Sequence, residues 1–82
     1  MGDPFKAIAD NSRRSILEGL NEKDMTAGDI AKQFDISKPG ISGHLKILQE
    51  ADLVSNKKIG QHRIYSINKK TVQKMTKYFD KF

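Results

Sequence analysis

The strongest constraint on this chain lies in residues 26–48, where two apolar stripes at helical spacing follow one another with almost nothing between them. Ala27, Ile30, Ala31 and Phe34 recur at i, i+3, i+4 and i+7. After a turn at Asp35-Ile36, Ile41, Leu45 and Leu48 form a second stripe. Each stripe has its own start signal. Thr26 with Asp29 three residues on comes close to a capping box, and Ser37 caps a helix whose first turn contains Pro39, where a missing N–H is harmless. Two amphipathic helices joined by a turn of about 3–4 residues read as a helix-turn-helix.

The flanking segments complete an architecture. Asp3-Pro4 is a helix start, after which Phe5, Ile8 and Ala9 form a short apolar face. Asp10, Asn11 and Ser12 offer a second cap for "RRSILEGL", with Ile16, Leu17 and Leu20 inward, and "NEKD" closes that helix. Beyond Ala51-Asp52 the period changes. "LVSNKK" and "HRIYSIN" flank "IGQ", where Gly60 supplies positive φ, so a two-stranded hairpin with a basic tip is predicted. "KKTVQKMTKYFDKF" returns to helix, with Val72, Met75, Phe79 and Phe82 at i, i+3, i+7 and i+10. The predicted fold is mainly α with a small β-hairpin, in the order α-α-α-α-β-β-α. This is a winged helix-turn-helix occupying residues 1–82 as one domain.

The fourth helix contains two glycines, each costing roughly 0.5–1 kcal/mol against alanine in a helix interior. On a helical wheel, Pro39, Ser42, Gly43 and Lys46 lie opposite the core stripe, while Gly40 and His44 sit on its flank. A face this small and polar suits close approach to a major groove, with Gly43 giving clearance and Ser42 and Lys38 giving donors. The bland alternative is that both glycines merely accommodate a neighbouring helix. The wing adds Lys57, Lys58, His62 and Arg63 around the turn, with Gln61 between them, positioned to meet flanking phosphates or a minor groove. Standing alone, such a charge run is as consistent with a solvated loop.

Charge and residue usage exclude other classes. The 15 basic against 10 acidic residues give a net charge of +5, which suits a polyanionic partner. With no cysteine, disulfides, thiolate metal sites and cysteine nucleophiles are all absent, and His44 and His62 are too few for a histidine-rich metal site. No catalytic triad spacing or glycine-rich phosphate loop is present, so the chain is read as non-enzymatic and without a cofactor. "MGDPFKAIAD" has no apolar signal region and no run reaches the ~20 residues of a membrane span, so a cytoplasmic protein without membrane insertion is expected.

The stretches "FKAIADNSRRSIL", "MTAGDIAKQFDISKPGISGHLKILQEADLV" and "KIGQHRIYSIN" resemble the ArsR/SmtB family of winged-helix repressors across nearly the whole chain. The nearest branch is one of autorepressors lacking the usual metal sites. The resemblance implies a homodimer built from the first and last helices. It also implies a pseudo-palindromic operator and repression by occluding a promoter, the regulator's own included. It carries DNA contact over to Lys38, Pro39, Gly40, Ser42 and Gly43 on the helix and to Lys58, Gln61 and Arg63 on the wing, with Thr26 reaching a phosphate. Ser37, His44, Lys46, Lys57 and His62 complete the DNA-facing set. Neither metal-ligand set of the family is present: "MTAGDIA" lacks the paired cysteines, and the last helix offers Asp80 without histidine.

For the dimer interface, Phe5, Ile8, Val72, Met75, Phe79 and Phe82 form an apolar face that a second copy would cover; packing into the chain's own core is the alternative. Lys69-Lys70 and Asp80 oppose the macrodipole of the last helix at both ends, so that helix depends on packing. Arg13 and Arg14 suit either the DNA backbone or, for Arg14, an i+4 pair with Glu18. A protein-contact winged helix and a repressor with a non-standard metal site are the rival readings. No motif specifies an effector, whether protein or small molecule.

Overall fold

Two aspartates set the first two helices. In the computed structural model, which describes residues 2–81 apart from the side chain of Phe79, the Asp3 carboxylate accepts the Phe5 N–H at 2.9 Å and starts α1 (Pro4–Ala7). Asp10 accepts the Arg13 N–H at 3.0 Å and starts α2 (Asn11–Glu22). The predicted face of α1 is corrected here. Ala7 is buried while Ala9 and Phe5 are exposed, because a helix of four residues is too short to carry an i, i+3, i+4 stripe. Ile16, Leu17 and Leu20 of α2 point into the core as expected, although the helix runs on through Asn21 and Glu22.

Thr26 forms the full capping box of α3 (Ala27–Phe34): its hydroxyl accepts the Asp29 N–H at 3.1 Å, and the Asp29 carboxylate accepts the Thr26 N–H at 3.4 Å. Asp35 ends α3 in the left-handed region at φ 51°, a conformation a short polar side chain tolerates. Ile36 and Ser37 then lead into α4 (Lys38–Glu50), where the Ser37 hydroxyl accepts the Gly40 N–H at 3.2 Å. The helix-turn-helix is therefore held by a cap at each of its joints. Replacing Thr26 by alanine removes one bonded cap and is expected to cost about 1 kcal/mol. Thermal melting should then drop by roughly 4–8 °C for a domain of this size.

The hairpin is β2 (Val54–Ile59) and β3 (His62–Ile67), antiparallel, closed by Gly60 at φ +61° and Gln61. A strand not foreseen in the sequence joins it. Met25 and Thr26 form β1, pairing with Tyr65 and Ile64, so the sheet has three strands in the order β1-β3-β2. Two residues are too few to show period-2 alternation, and the sequence reads Thr26 only as the start of the helix that follows. Helix α5 (Lys69–Asp80) leaves the sheet at Asn68, whose side chain donates to the Asp52 carbonyl at 3.0 Å.

Ile16, Leu20, Ile30, Ile41, Leu45, Leu48 and Leu53 are essentially without solvent contact, and Met25, Val54 and Met75 close the core around them. No buried side-chain polar atom among the described residues lacks a partner, so the core carries no desolvation penalty of that kind.

Candidate nucleic-acid interface

The core stripe of α4 fixes what its other side shows. With Ile41, Leu45 and Leu48 inward, Ser37, Lys38, Pro39, Ser42, Gly43 and Lys46 are all exposed on one surface. The two glycines differ. A Cβ on Gly40 would lie 3.1 Å from both Ile36 Cγ2 and Ser37 Oγ, so this glycine makes room for the cap of its own helix. A Cβ on Gly43 would meet nothing within 4 Å. Packing within the chain thus explains Gly40 and leaves Gly43 without an internal reason.

Beside this surface, the first turns of α3 and α4 border a cleft of about 240 Å³ lined by Ala27, Gly28, Lys38, Ile41 and Ser42. The sequence placed Ala27 only in the apolar stripe of α3 and did not mark Gly28, since nothing in their spacing makes them neighbours of α4. Thr26 stands at the same corner with its hydroxyl oxygen engaged by Asp29, which leaves the hydroxyl proton to donate. The positive dipole ends of both helices lie at this corner, an arrangement suited to phosphate.

His44 is set back from the surface. Its Nδ1 lies 3.4 Å from Arg13 Nη1 and 4.0 Å from Asp10 Oδ2, and its side chain is about one-fifth exposed. Arginine can only donate, so in the neutral ring Nδ1 accepts and the proton sits on Nε2. Arg13 also donates through Nε to the Ala7 carbonyl at 2.6 Å, so it bridges the end of α1 to the middle of α4. Arg13's backbone N–H holds the Asp10 carboxyl below the usual carboxylate range. Partial burial acts against this, and the Arg13 guanidinium and His44 add to it. Arg14 bonds the Ile8 and Ala9 carbonyls and Asn11 Oδ1, so its guanidinium caps α1 and does not reach for Glu18.

The wing's basic residues are exposed but do not form one patch. Cross-strand partners share a face, and the register pairs Lys58 with Arg63, Lys57 with Ile64 and Ile59 with His62. Lys58 and Arg63 therefore stand on the face that carries Val54, Tyr65 and Ile67, where Arg63 donates to Asn56 Oδ1 at 2.9 Å. Lys57 and His62 stand on the opposite face. Gln61 is exposed in the turn between the strands.

The expected dimer residues are only partly assembled on one surface. Phe5 is exposed and its ring lies 5.2 Å from that of Tyr78, a residue the sequence stripe passed over. Ile8 and Val72 are half-buried against the core and, with Leu17, Leu53 and Met75, line a groove of about 220 Å³ beside α5. Met75 is already buried within a single chain. The Phe79 side chain and Phe82 lie outside the described residues.

A helix-turn-helix followed at once by a hairpin, with small and basic side chains outward on both, defines a winged helix-turn-helix protein. Residues 10–56 match the family described as "Bacterial regulatory protein, arsR family". The chain is 52% identical over 73 residues to the transcriptional repressor SdpR of Bacillus subtilis, covering 89% of this chain and 81% of that protein. A crystal structure described as a possible transcriptional regulator for arsenical resistance superposes with a TM-score of 0.89 at 30% identity, covering 100% of this chain and 85% of the other. A homodimeric winged helix-turn-helix DNA-binding domain from Mycobacterium bovis superposes at 0.78 and 25% identity, covering 83% of this chain and 64% of that one. This protein belongs to the ArsR family of bacterial transcriptional regulators.

Proposed function

We propose that two copies of this chain grip a pseudo-palindromic duplex and repress transcription by occluding a promoter, that of its own gene first among the candidates. The observation that carries this reading is the exposed row Lys38, Ser42, Gly43 and Lys46, in which a glycine with nothing around it interrupts a helix otherwise well capped. The cleft at the first turns of α3 and α4 suits a phosphate, and the Lys38 ammonium, Ser42 hydroxyl and Thr26 hydroxyl supply donors around it. Lys57, Lys58, Gln61, His62 and Arg63 extend the contact along the duplex. The relative from Bacillus subtilis is a repressor and the domain from Mycobacterium bovis a homodimer, which supports the same arrangement here. The protein acts in the cytoplasm, with its DNA.

Fluorescence anisotropy on the duplex upstream of its own gene, against a scrambled duplex over a salt series, tests this directly. Binding at about 10⁻⁸ M or tighter to the upstream duplex, far above the scrambled one, is the expected result. Equal, weak binding to both with the same steep salt slope means phosphate attraction alone and overturns the reading. Lys38→Ala should weaken binding to every duplex and flatten the log–log salt slope by about one unit, as removal of one phosphate contact does.

A further inference from the structure

The wing carries positive charge on both faces and an exposed isoleucine at its tip. Successive strand residues point to opposite sides, so Lys57 and Lys58 diverge, as do His62 and Arg63. A ribbon lying flat on a duplex is served by cations on one face only. Cations on both faces suit a ribbon standing between two phosphate walls. With α4 assigned to the major groove, the walls left to the wing are those of the adjacent minor groove, about 6 Å apart, which admits the tip of a two-residue turn and not the sheet behind it.

Ile59 is the last residue of β2 before the turn, 54% exposed and opposite His62. Since β2 is an edge strand, lysines on it have a second use in discouraging pairing with another chain. That use does not account for Ile59, because an exposed apolar residue at the end of the same edge works against it. Apolar side chains do enter minor grooves, where they contact the sugar walls and the floor. On that floor A·T pairs show only acceptors, whereas G·C pairs add a protruding 2-amino group. A branched aliphatic side chain fits over the first and leaves the second without a hydrogen-bond partner. Gln61, adjacent in the turn, can donate to the acceptors that every base pair presents there, so the discrimination falls to Ile59.

We propose that Ile59 is an apolar minor-groove contact that makes the flanks of the bound site select base pairs lacking a 2-amino group. The inference rests on the DNA-binding reading above and adds a specificity residue to it. The full chain is first used to select duplexes from a random library. Affinities are then measured on a selected duplex whose flanking pairs are A·T, G·C or inosine·C, the last presenting the major groove of G·C without the 2-amino group. The expected result is that A·T and inosine·C flanks bind alike and G·C flanks bind roughly five-fold more weakly. Ile59→Ala should erase that difference without changing the salt slope, and Ile59→Val should keep most of it. The exposed position leaves the fold intact, which circular dichroism verifies. Equal affinity for all three flanks, or a difference that persists in Ile59→Ala, overturns the inference while leaving the repressor reading standing. Failure of the chain to enrich any sequence overturns both.

Discussion

Gly43→Leu should bind its operator about 100-fold more weakly than the unmodified chain while melting a few degrees higher. The two effects have separate origins. In the free protein a Cβ at position 43 meets nothing within 4 Å, so the larger side chain is accommodated without strain. Removing a helix-interior glycine then recovers about 0.5–1 kcal/mol of backbone entropy, and in a small domain 1 kcal/mol raises the melting temperature by roughly 4–8 °C. Against DNA the same side chain occupies the space that lets α4 approach base edges. Specific sites are bound typically about 10³–10⁷ tighter than random sequence, and loss of close approach removes a large part of that factor while leaving the phosphate attraction of a +5 chain. Anisotropy on specific and scrambled duplexes, run beside a thermal melt, reads both changes. Gly43→Ala should fall between. A variant that gained stability and kept full affinity would show that nothing approaches Gly43, and the reason for a glycine there would have to be sought elsewhere. Gly40→Leu is the comparison within the same helix: a Cβ there lies 3.1 Å from Ile36 Cγ2 and Ser37 Oγ, and the melt reads how far those side chains give way.

The contrast between the two glycines shows where sequence reading reaches its limit. Both lie in one helix, and periodicity goes only as far as placing Gly43 opposite the core stripe and Gly40 on its flank. Only the coordinates show that one faces its own cap and the other faces open space. The first four helices were legible because each has a bonded cap at its start, and Asp3, Asp10, Thr26 and Ser37 each use the local side-chain-to-backbone bond their residue type favours. Contacts between distant segments were not legible. Arg13 reaches the Ala7 carbonyl and His44, thirty-one positions along the chain, and no spacing rule brings those together. The strand at Met25-Thr26 exists because β3 lies beside it, and Tyr78 came to matter because Phe5 stands next to it. The wing lay between these cases. Its basic residues could be named from the sequence, but their division between two faces depends on a register set by the turn at Gly60-Gln61.

Phe5→Lys should convert the protein from a dimer to a species of 9.3 kDa and lower its operator affinity by about 10²–10⁴. Phe5 is 39% exposed and outside the buried core, so its replacement removes the ring contact with Tyr78 and acts on whatever covers the face it shares with α5. A two-fold interface presents the same residue from both sides, so the substitution introduces two ammonium groups at once into an apolar contact between chains that are each already +5. Neither charge has a carboxylate partner supplied by the change, and burying it unpaired is costly. The consequence for DNA follows from geometry. A dimer spans two half-sites about 34–36 Å apart, and the second recognition helix binds at the high effective concentration fixed by the first. Separated chains each hold one half-site and lose that advantage. Light scattering across a dilution series gives the mass, and anisotropy on a full operator and on a single half-site gives the coupling. The variant should bind the half-site as well as the parent does and the full operator no better than the half-site. A variant that remained dimeric with unchanged operator affinity would place the interface away from Phe5.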